Sequence, residues 1–232
     1  MKKYAFLLIP LIALMLPGCS QRAPEGMESS SQAAPRQLDA QDLAEIAELI
    51  AAVNEKAVIT DQDMLTAQIP LAAKASEAIK ITPKACNVFV EGEIAAELEK
   101  MNTISGVLPE DTYLEETEVG ISSYGEVADA KANLSGSVGF LNDCSEFTLT
   151  LEGQEMEMTL EGLKATTSAT HNGAYLVVID TGGTKINIVS VSGIQGSHVV
   201  SVSITGGSDT AKDPLEAQER ATAVLEMVSR KT

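Results

Sequence analysis

Two histidines, three cysteines and an acidic excess, 33 Asp and Glu against 16 Lys and Arg, are where this chain could do chemistry. Asp180-Thr181-Gly182 follows an apolar run and matches the aspartic-protease triplet, but that chemistry needs two carboxylates sharing one proton. The chain has a single such triplet, so it reads as a hairpin turn. Gly182-Gly183-Thr184-Lys185 lacks the spacing of a phosphate loop and runs into a strand rather than a helix. His171 and His198 form no H-x-x-x-H pair and lie beside no cysteine at metal-ligand spacing, which predicts turn or surface positions. Ser137 has no G-x-S-x-G elbow around it. Three acidic groups, Glu91 with Glu93, Glu115 with Glu116 and Glu118, and Glu155 with Glu157 and Glu161, could offer oxygens to calcium. They lack the loop of alternating donors and turn glycine that such a site needs. Glu155, Glu157 and Glu161 alternate with Met156, Met158 and Leu160 as the solvent face of a strand. No catalytic residue, metal site or cofactor is predicted, and the chain reads as a non-enzyme.

The cysteines divide by position. Lys2 and Lys3 precede an uncharged run from Tyr4 to Leu16, the length of a signal-peptide core and too short to span a membrane. It ends in Leu16-Pro17-Gly18-Cys19, the pattern of a bacterial lipobox. Small residues admit the peptide to a protease at the membrane face, and the Cys19 thiol is the nucleophile that accepts a diacylglyceryl group before cleavage. Each buried methylene contributes about 0.8 kcal/mol, so two or three fatty chains of the palmitate type hold a protein stably. The expectation is a signal peptide over 1–18, a lipidated cysteine and flexible tether over 19–37, and one domain over 38–232. The tether reading rests on Ser20 to Gln37, which is rich in Ser, Ala, Pro, Gln and Gly and almost without large apolar residues. Cys86 and Cys144 remain, in a compartment that permits disulfides, and are expected to pair; the alternative is two buried free thiols. A bridge between them closes a loop long enough to contribute about 3 to 5 kcal/mol in the loop-entropy account.

Losing Lys2 and Lys3 with the signal takes the formal net charge from −17 to −19. That excess argues against nucleic acid and anionic headgroups as partners. There is no tryptophan, and few aromatics follow the signal, so stacking platforms for sugars or bases are hard to build.

Around these residues the periodicity sets the elements. Leu43, Ile46, Leu49, Ile50 and Val53 recur at helical spacing behind Asp39 and Asp42 as caps. A mixed segment with Asp61, Asp63 and Pro70 precedes a second helical pattern from Pro83 through Leu98 to Met101, with Cys86 in its first turn. Ser123 and Glu126 match a capping box ahead of a third helix through Val127, Ala130, Leu134 and Val138. From Cys144 the period becomes two: Phe147, Leu149 and Leu151, then Gly153, then Met156, Met158 and Leu160 read as an antiparallel hairpin. Strands follow at Tyr175 to Ile179, Ile186 to Val191 and Val200 to Ile204, joined by turns at His171-Asn172-Gly173, Thr181 to Thr184 and Gly193 to Ser197. Asp213 and Pro214 open a last helix with Leu215, Ala221, Val224, Leu225 and Val228 on its apolar stripe, interrupted by Gln218. The fold class is α+β: an antiparallel sheet of about five to six strands with helices packed on one face.

Several of these features in this order resemble the extracellular sensor domain of the PknH-type serine/threonine kinases of actinobacteria, a domain also found alone in lipoproteins. They are Pro83 and Cys86 opening a helix, Ser122 to Ala128 leading into the helix before Cys144, the alternating strand after it, the run Ile186 to Ile204, and the helix after Asp213. The resemblance covers Ile59 to Lys231. It implies an α+β domain with a cleft for an unidentified ligand, and it carries over no site residue. Those domains usually have two disulfides and a tryptophan near the second cysteine; here one pair is possible and tryptophan is absent.

The function expected is a lipoprotein at the cell membrane, facing the extracytoplasmic side and held there by lipid on Cys19. It would bind a small-molecule or envelope ligand, or sense it, without catalysis. The alternative is a carrier of lipid or another apolar molecule, because Met156 and Met158 adapt to irregular ligands. In either case one-sided helices would leave part of the stripe Phe147, Leu149, Met156, Met158 and Leu160 uncovered. The expected site is a concave, mainly apolar cleft without a strongly perturbed acid or base; a fully packed stripe is the other outcome.

Overall fold

The computed structural model of the chain describes residues 36–52, 54–87, 94–109, 115–206 and 213–232. Helix α1 (Ala40–Ala51) starts where a cap requires it: the Asp39 carboxylate accepts from the amides of Gln41 and Asp42, and Asp42 accepts from the Asp39 amide. Leu43, Ile46, Ala47 and Ile50 are buried, whereas Leu49, expected on the same stripe, is exposed. Val53 lies outside the described residues. Next come β1 (Val58–Asp61), α2 (Gln62–Ser76), β2 (Ile79–Thr82), a 3-10 turn at Lys84–Cys86, α3 (Ile94–Leu98), β3 (Met101–Pro109) and β4 (Glu116–Tyr124). The chain continues through α4 (Val127–Asp143), β5 (Glu146–Leu151), β6 (Gln154–Gly162), β7 (His171–Asp180), β8 (Lys185–Gln195), β9 (His198–Thr205) and α5 (Asp213–Ser229).

All of these strands join one antiparallel sheet in the order β1-β3-β4-β9-β8-β7-β6-β5-β2. The fold is α+β, but with nine strands rather than five to six. The additional four, β1 to β4, all precede Cys144. β1 and β2 have four residues each, too few to show a period. β3 and β4 are largely buried throughout, and a strand covered on both faces loses the apolar-polar alternation that marks a half-exposed one. Of the helix expected from Pro83 to Met101, the described residues hold the 3-10 turn and α3, residues 88–93 lie outside them, and Met101 opens β3.

Helices cover both faces rather than one. On β8, Val189 and Val191 pack in one cluster with Ala217, Ala221 and Leu225 of α5 and Ile46 of α1. The alternate residues Ile186 and Ile188 pack in another beside Phe140 and Leu141 of α4, and Ile194 meets Ala130 and Leu134 of α4. The central strands are apolar on both sides, so one layer of helices cannot bury them.

Local expectations fail where tertiary pairing overrides a short motif. Glu126, not Ser123, is the N-cap of α4, without a side-chain cap bond. His171-Asn172-Gly173 is strand, paired with Ile194, Gly193 and Ser192 of β8. The turn after β8 is Gln195 to His198, with Gly196 at φ 62°. Leu215 is exposed, and Gln218 accepts from the Thr166 amide instead of merely interrupting a stripe.

Cys86 and Cys144 form a disulfide with Cα atoms 5.6 Å apart and 58 positions between them. It fastens the 3-10 turn to the residue that ends α4, rather than a second helix to a strand. Around it Phe147, Leu149, Met158 and Leu160 are buried and Met156 is partly buried against the same cluster. The apolar stripe is packed by α4 and the β7 residues Tyr175, Val177 and Ile179.

Candidate functional site

β4 contributes to both faces, and its two sides differ in chemistry. Val119 and Ile121 point to the α1 and α5 cluster. The α4 face carries Glu116, Glu118, Gly120, Ser122 and Tyr124, because side chains alternate along a strand. Register extends this polarity sideways. Val107, Glu118, Ser203, Ser190 and Tyr175 form one row across β3, β4, β9, β8 and β7. Beside it runs a second row, Ser105, Gly120, Ser201, Ser192 and Gly173. The second row has no side chain larger than serine, and α4 crosses this face, with Ala130 and Leu134 in the cluster of Ile194 and Val199 and with Phe140 and Leu141 in the cluster of Tyr175 and Ile188. A Cβ at Gly120 would meet Ser201 Oγ at 2.7 Å, which shows how closely the row is set. Ser122, Gly173, Ser192 and Ser201 are partly exposed, whereas Ser105 and Gly120 are buried.

Glu118 stands in the first row at 8% exposure. Ser105 Oγ donates to its Oε1 at 3.2 Å, the one hydrogen bond to this carboxyl among the described residues. No lysine or arginine among them offsets its charge. Burial pushes the carboxyl up to about 8, the Ser105 bond opposes that shift, and neighbouring Glu116 adds to it. Glu116, half-buried, is also raised by desolvation. Burial lifts the Tyr175 phenol to about 12 against the influence of the Ser190 hydroxyl. Ser203 Oγ in turn donates to Ser190 Oγ at 3.1 Å. At neutral pH the Glu118 carboxyl therefore holds its proton and can donate a hydrogen bond; given a cation it can ionise. Glu118 lies on β4, apart from the stripe from Phe147 to Leu160 where a cleft without a strongly perturbed acid is expected. A strand address deep in the sheet desolvates it.

A second buried polar group lies on the opposite face of β4. His198 is fully buried rather than at a turn surface, with Nδ1 2.9 Å from Ser123 Oγ. The Leu38 amide donates to that Oγ at 2.8 Å, Asn102 Nδ2 donates to the Leu38 carbonyl at 2.8 Å, and Gln37 Nε2 donates to the Ser123 carbonyl at 2.8 Å. Leu38 is itself fully buried. Gln37, expected in the tether, is thus held by the sheet. Desolvation pushes His198 down to about 4, which keeps the ring neutral, and its Nε2 has no partner among the described residues.

With this geometry in hand, the solved structures offer a parallel. The chain is similar to the extracellular domain of PknH from Mycobacterium tuberculosis, with TM-score 0.53 and 11% identity, over 82% of this chain and 98% of that one. The fold is shared with that extracellular domain. A putative uncharacterized protein from Mycobacterium smegmatis aligns over 80% of this chain and 96% of its own, with TM-score 0.45 and 12% identity. No protein-family model and no curated protein matches the chain. The resemblance to PknH-type domains read from the sequence therefore stands at the level of fold.

The remaining sequence candidates do not converge. Asp180 Oδ1 accepts from the Gly182 amide at 2.9 Å, and the Thr181 amide donates to the Thr184 carbonyl at 3.1 Å, the bonds of a hairpin turn. His171 is exposed at the start of β7. Glu155, Glu157 and Glu161 are exposed. Cys19, Glu91 and Glu93 lie outside the described residues. Glu118 entered the sequence reading only as one of three neighbouring acids. The available signal was its setting: a glutamate directly followed by Val119-Gly120-Ile121, where an exposed acid is out of place.

Proposed function

We propose that this chain is an extracytoplasmic lipoprotein, anchored through lipid on Cys19, whose domain binds a small-molecule or envelope ligand without catalysing a reaction on it. The supporting observation is Glu118: a carboxyl taken out of water among serine hydroxyls, with no counter-charge supplied by the described residues. Burying an acid in this way costs stability, and a ligand that completes its bonding recovers that cost. Among the described residues the two rows hold hydroxyls and acids but no cysteine or lysine, and His171 is exposed one row away on β7, so they offer bonding groups but no nucleophile-base pair. Carriage of an apolar molecule loses its expected site, since the stripe from Phe147 to Leu160 is packed. The shared fold with a PknH extracellular domain favours the same extracytoplasmic setting. Among the described residues no helix is long and apolar enough to cross a membrane, and the anchor falls to the Leu16 to Cys19 pattern.

Two measurements test this reading. Cys19→Ala should leave the protein uncleaved or released; a mutant processed at the same bond and still membrane-bound defeats the anchor. Native mass spectrometry of protein drawn gently from its own membranes should show an added mass that Glu118→Gln loses. An identical added mass in both forms places binding elsewhere.

A further inference from the structure

Resting on the lipid anchor proposed above, we infer that the exposed apolar face of α2 lies on the surface of the membrane that holds Cys19, with Met64 and Leu71 set among the headgroups. Among the described residues α2 is a long helix without a core. Met64, Leu65, Ile69 and Leu71 give it four large apolar side chains, yet Leu65 and Ile69 are only half-buried, Met64 is 53% exposed and Leu71 70%. By contrast α1, α4 and α5 each bury apolar side chains in a cluster of the core. Met64 and Leu71 stand seven positions apart, two turns along one side of the helix, with exposed Ala67 between them. Exposed apolar residues scattered singly are ordinary, but these are gathered. Of the five large apolar residues exposed in the described chain, Leu49, Val58, Met64 and Leu71 fall within α1, β1 and α2, and the fifth is Leu215 on α5.

The point where the tether joins the domain indicates what meets this face. Leu38 is fixed to the sheet by Asn102 of β3 and Ser123 of β4, the second and third strands counting from the β1 edge. α2 starts at the same place. Gln62 Nε2 donates to the Leu98 and Met101 carbonyls at 2.9 Å, and Gln62 Oε1 accepts from the Thr103 amide at 3.0 Å. Asn102, which holds Leu38, thus lies between two residues whose backbones hold the first residue of α2. Seventeen positions separate Cys19 from Arg36, where the described chain begins. A chain of that length spans at most about 60 Å. Lipid on Cys19 therefore keeps this corner of the domain close to the bilayer, where even a small apolar face meets a high effective concentration of membrane.

Charge agrees with this placement. The acidic excess of the whole chain argues against anionic headgroups, but from Gln62 to Asn87 the balance reverses: Lys74, Lys80 and Lys84, all exposed, outnumber Asp63 and Glu77. Apolar side chains flanked by lysines are the pattern of a helix that rests in the headgroup layer. With 15 residues, Asp63 in its first turn and Lys74 in its last, α2 lies on a bilayer and does not cross it. A second copy of the chain fits the face less well, because it brings the same net charge of −17 and is repelled.

The chain has no tryptophan, so one introduced indole reports without background. The full lipidated chain, carrying either Leu71→Trp or the exposed reference Leu215→Trp on α5, is reconstituted into vesicles of phosphatidylcholine and phosphatidylglycerol with brominated acyl chains. Leu71→Trp should emit at shorter wavelength than in detergent-free buffer with no vesicles and lose at least about half its intensity to the bromines, as befits a helix face sunk about 5 to 10 Å into the interface. Leu215→Trp should keep the emission of an indole in water. Adding Met64→Glu to Leu71→Trp should cut the quenching by at least about twofold while sedimentation with the vesicles, set by the lipid, stays unchanged. Circular dichroism verifies that each variant folds. Equal quenching at both positions, a Leu71→Trp indole that stays in water on vesicles, or quenching indifferent to Met64→Glu overturns the inference and leaves the anchor in place. A blue shift without bromine quenching that grows with protein density identifies a second copy on this face and overturns it too. Failure to sediment with vesicles, with Cys19 found unmodified by intact mass, defeats the anchor on which the inference rests.

Discussion

Glu118 and Ser123 lie five positions apart on β4 and point to opposite faces of the sheet, and each is buried with a titratable group. Around Ser123 the Leu38 amide, the His198 ring and the Asn102 and Gln37 side chains hold the start of the described chain to the sheet, with His198 Nε2 left without a partner among the described residues. Around Glu118 one hydrogen bond reaches the carboxyl. Both groups are buried with an incomplete set of partners; the first ties two segments of chain together, which rigidifies a fold, and the second does not.

Their pH signatures have opposite signs. Glu118 keeps its proton in the folded state to about 8, while in the unfolded chain it ionises near 4.5. The folded form binds more protons across that interval, so this contribution to stability is present below about 4.5 and is lost as pH rises to about 8. His198 remains neutral down to about 4 when folded and protonates near 6.5 when unfolded. Its contribution is present above about 6.5 and is lost as pH falls to about 4.

The largest expected effect tests whether these signatures are local. Replacing both Cys86 and Cys144 with serine should lower stability by about 2 to 5 kcal/mol in denaturant unfolding, yet leave both pH dependences in place, since the disulfide borders neither group. Loss of either signature would show the regions to be coupled through the Phe147 cluster.

Next, Glu118→Gln should flatten the fall in stability between about pH 4.5 and 8 and leave the variant more stable than the parent by a few kcal/mol at pH 8, on the order of the carboxyl desolvation removed. Thermal unfolding across pH reads this directly. An unchanged slope would mean that the acid is not buried in solution.

Ser123→Ala should behave in the opposite way, costing about 1 to 3 kcal/mol at neutral pH because it orphans the buried Leu38 amide. Hydrogen exchange at Leu38 should accelerate. The smallest effect is expected of Gly120→Ala. Its new methyl displaces the Ser201 hydroxyl, which can rotate away, so stability should stay within about 1 kcal/mol of the parent.

Half-exposed and capped elements were legible from local pattern alone. Asp39 and Asp42 marked α1, the alternation from Phe147 to Leu160 marked β5 and β6, and Asp213-Pro214 marked α5. Their signals are short-range: a cap bonds within three residues, and a one-sided strand repeats every second residue. The four strands before Cys144 left no such trace. β3 and β4 are buried on both faces, and β1 and β2 are too short to alternate. Ser123 looked like a helix cap and His198 like a turn residue until β4 paired with β9 and placed them side by side.

The lipobox spacing, the two remaining cysteines, the acidic charge and the C-terminal hairpins follow from residue order, because each depends on neighbours within a few positions or on composition. The polar rows across the sheet do not. Glu118, Ser203, Ser190 and Tyr175 come from strands as far apart in sequence as β4 and β7, and only antiparallel register brings them into one row. The depth that holds the Glu118 proton likewise arises from the strands and helices packed around it. Desolvation is a property of that packing, so the chemistry of the site was decided by the tertiary structure.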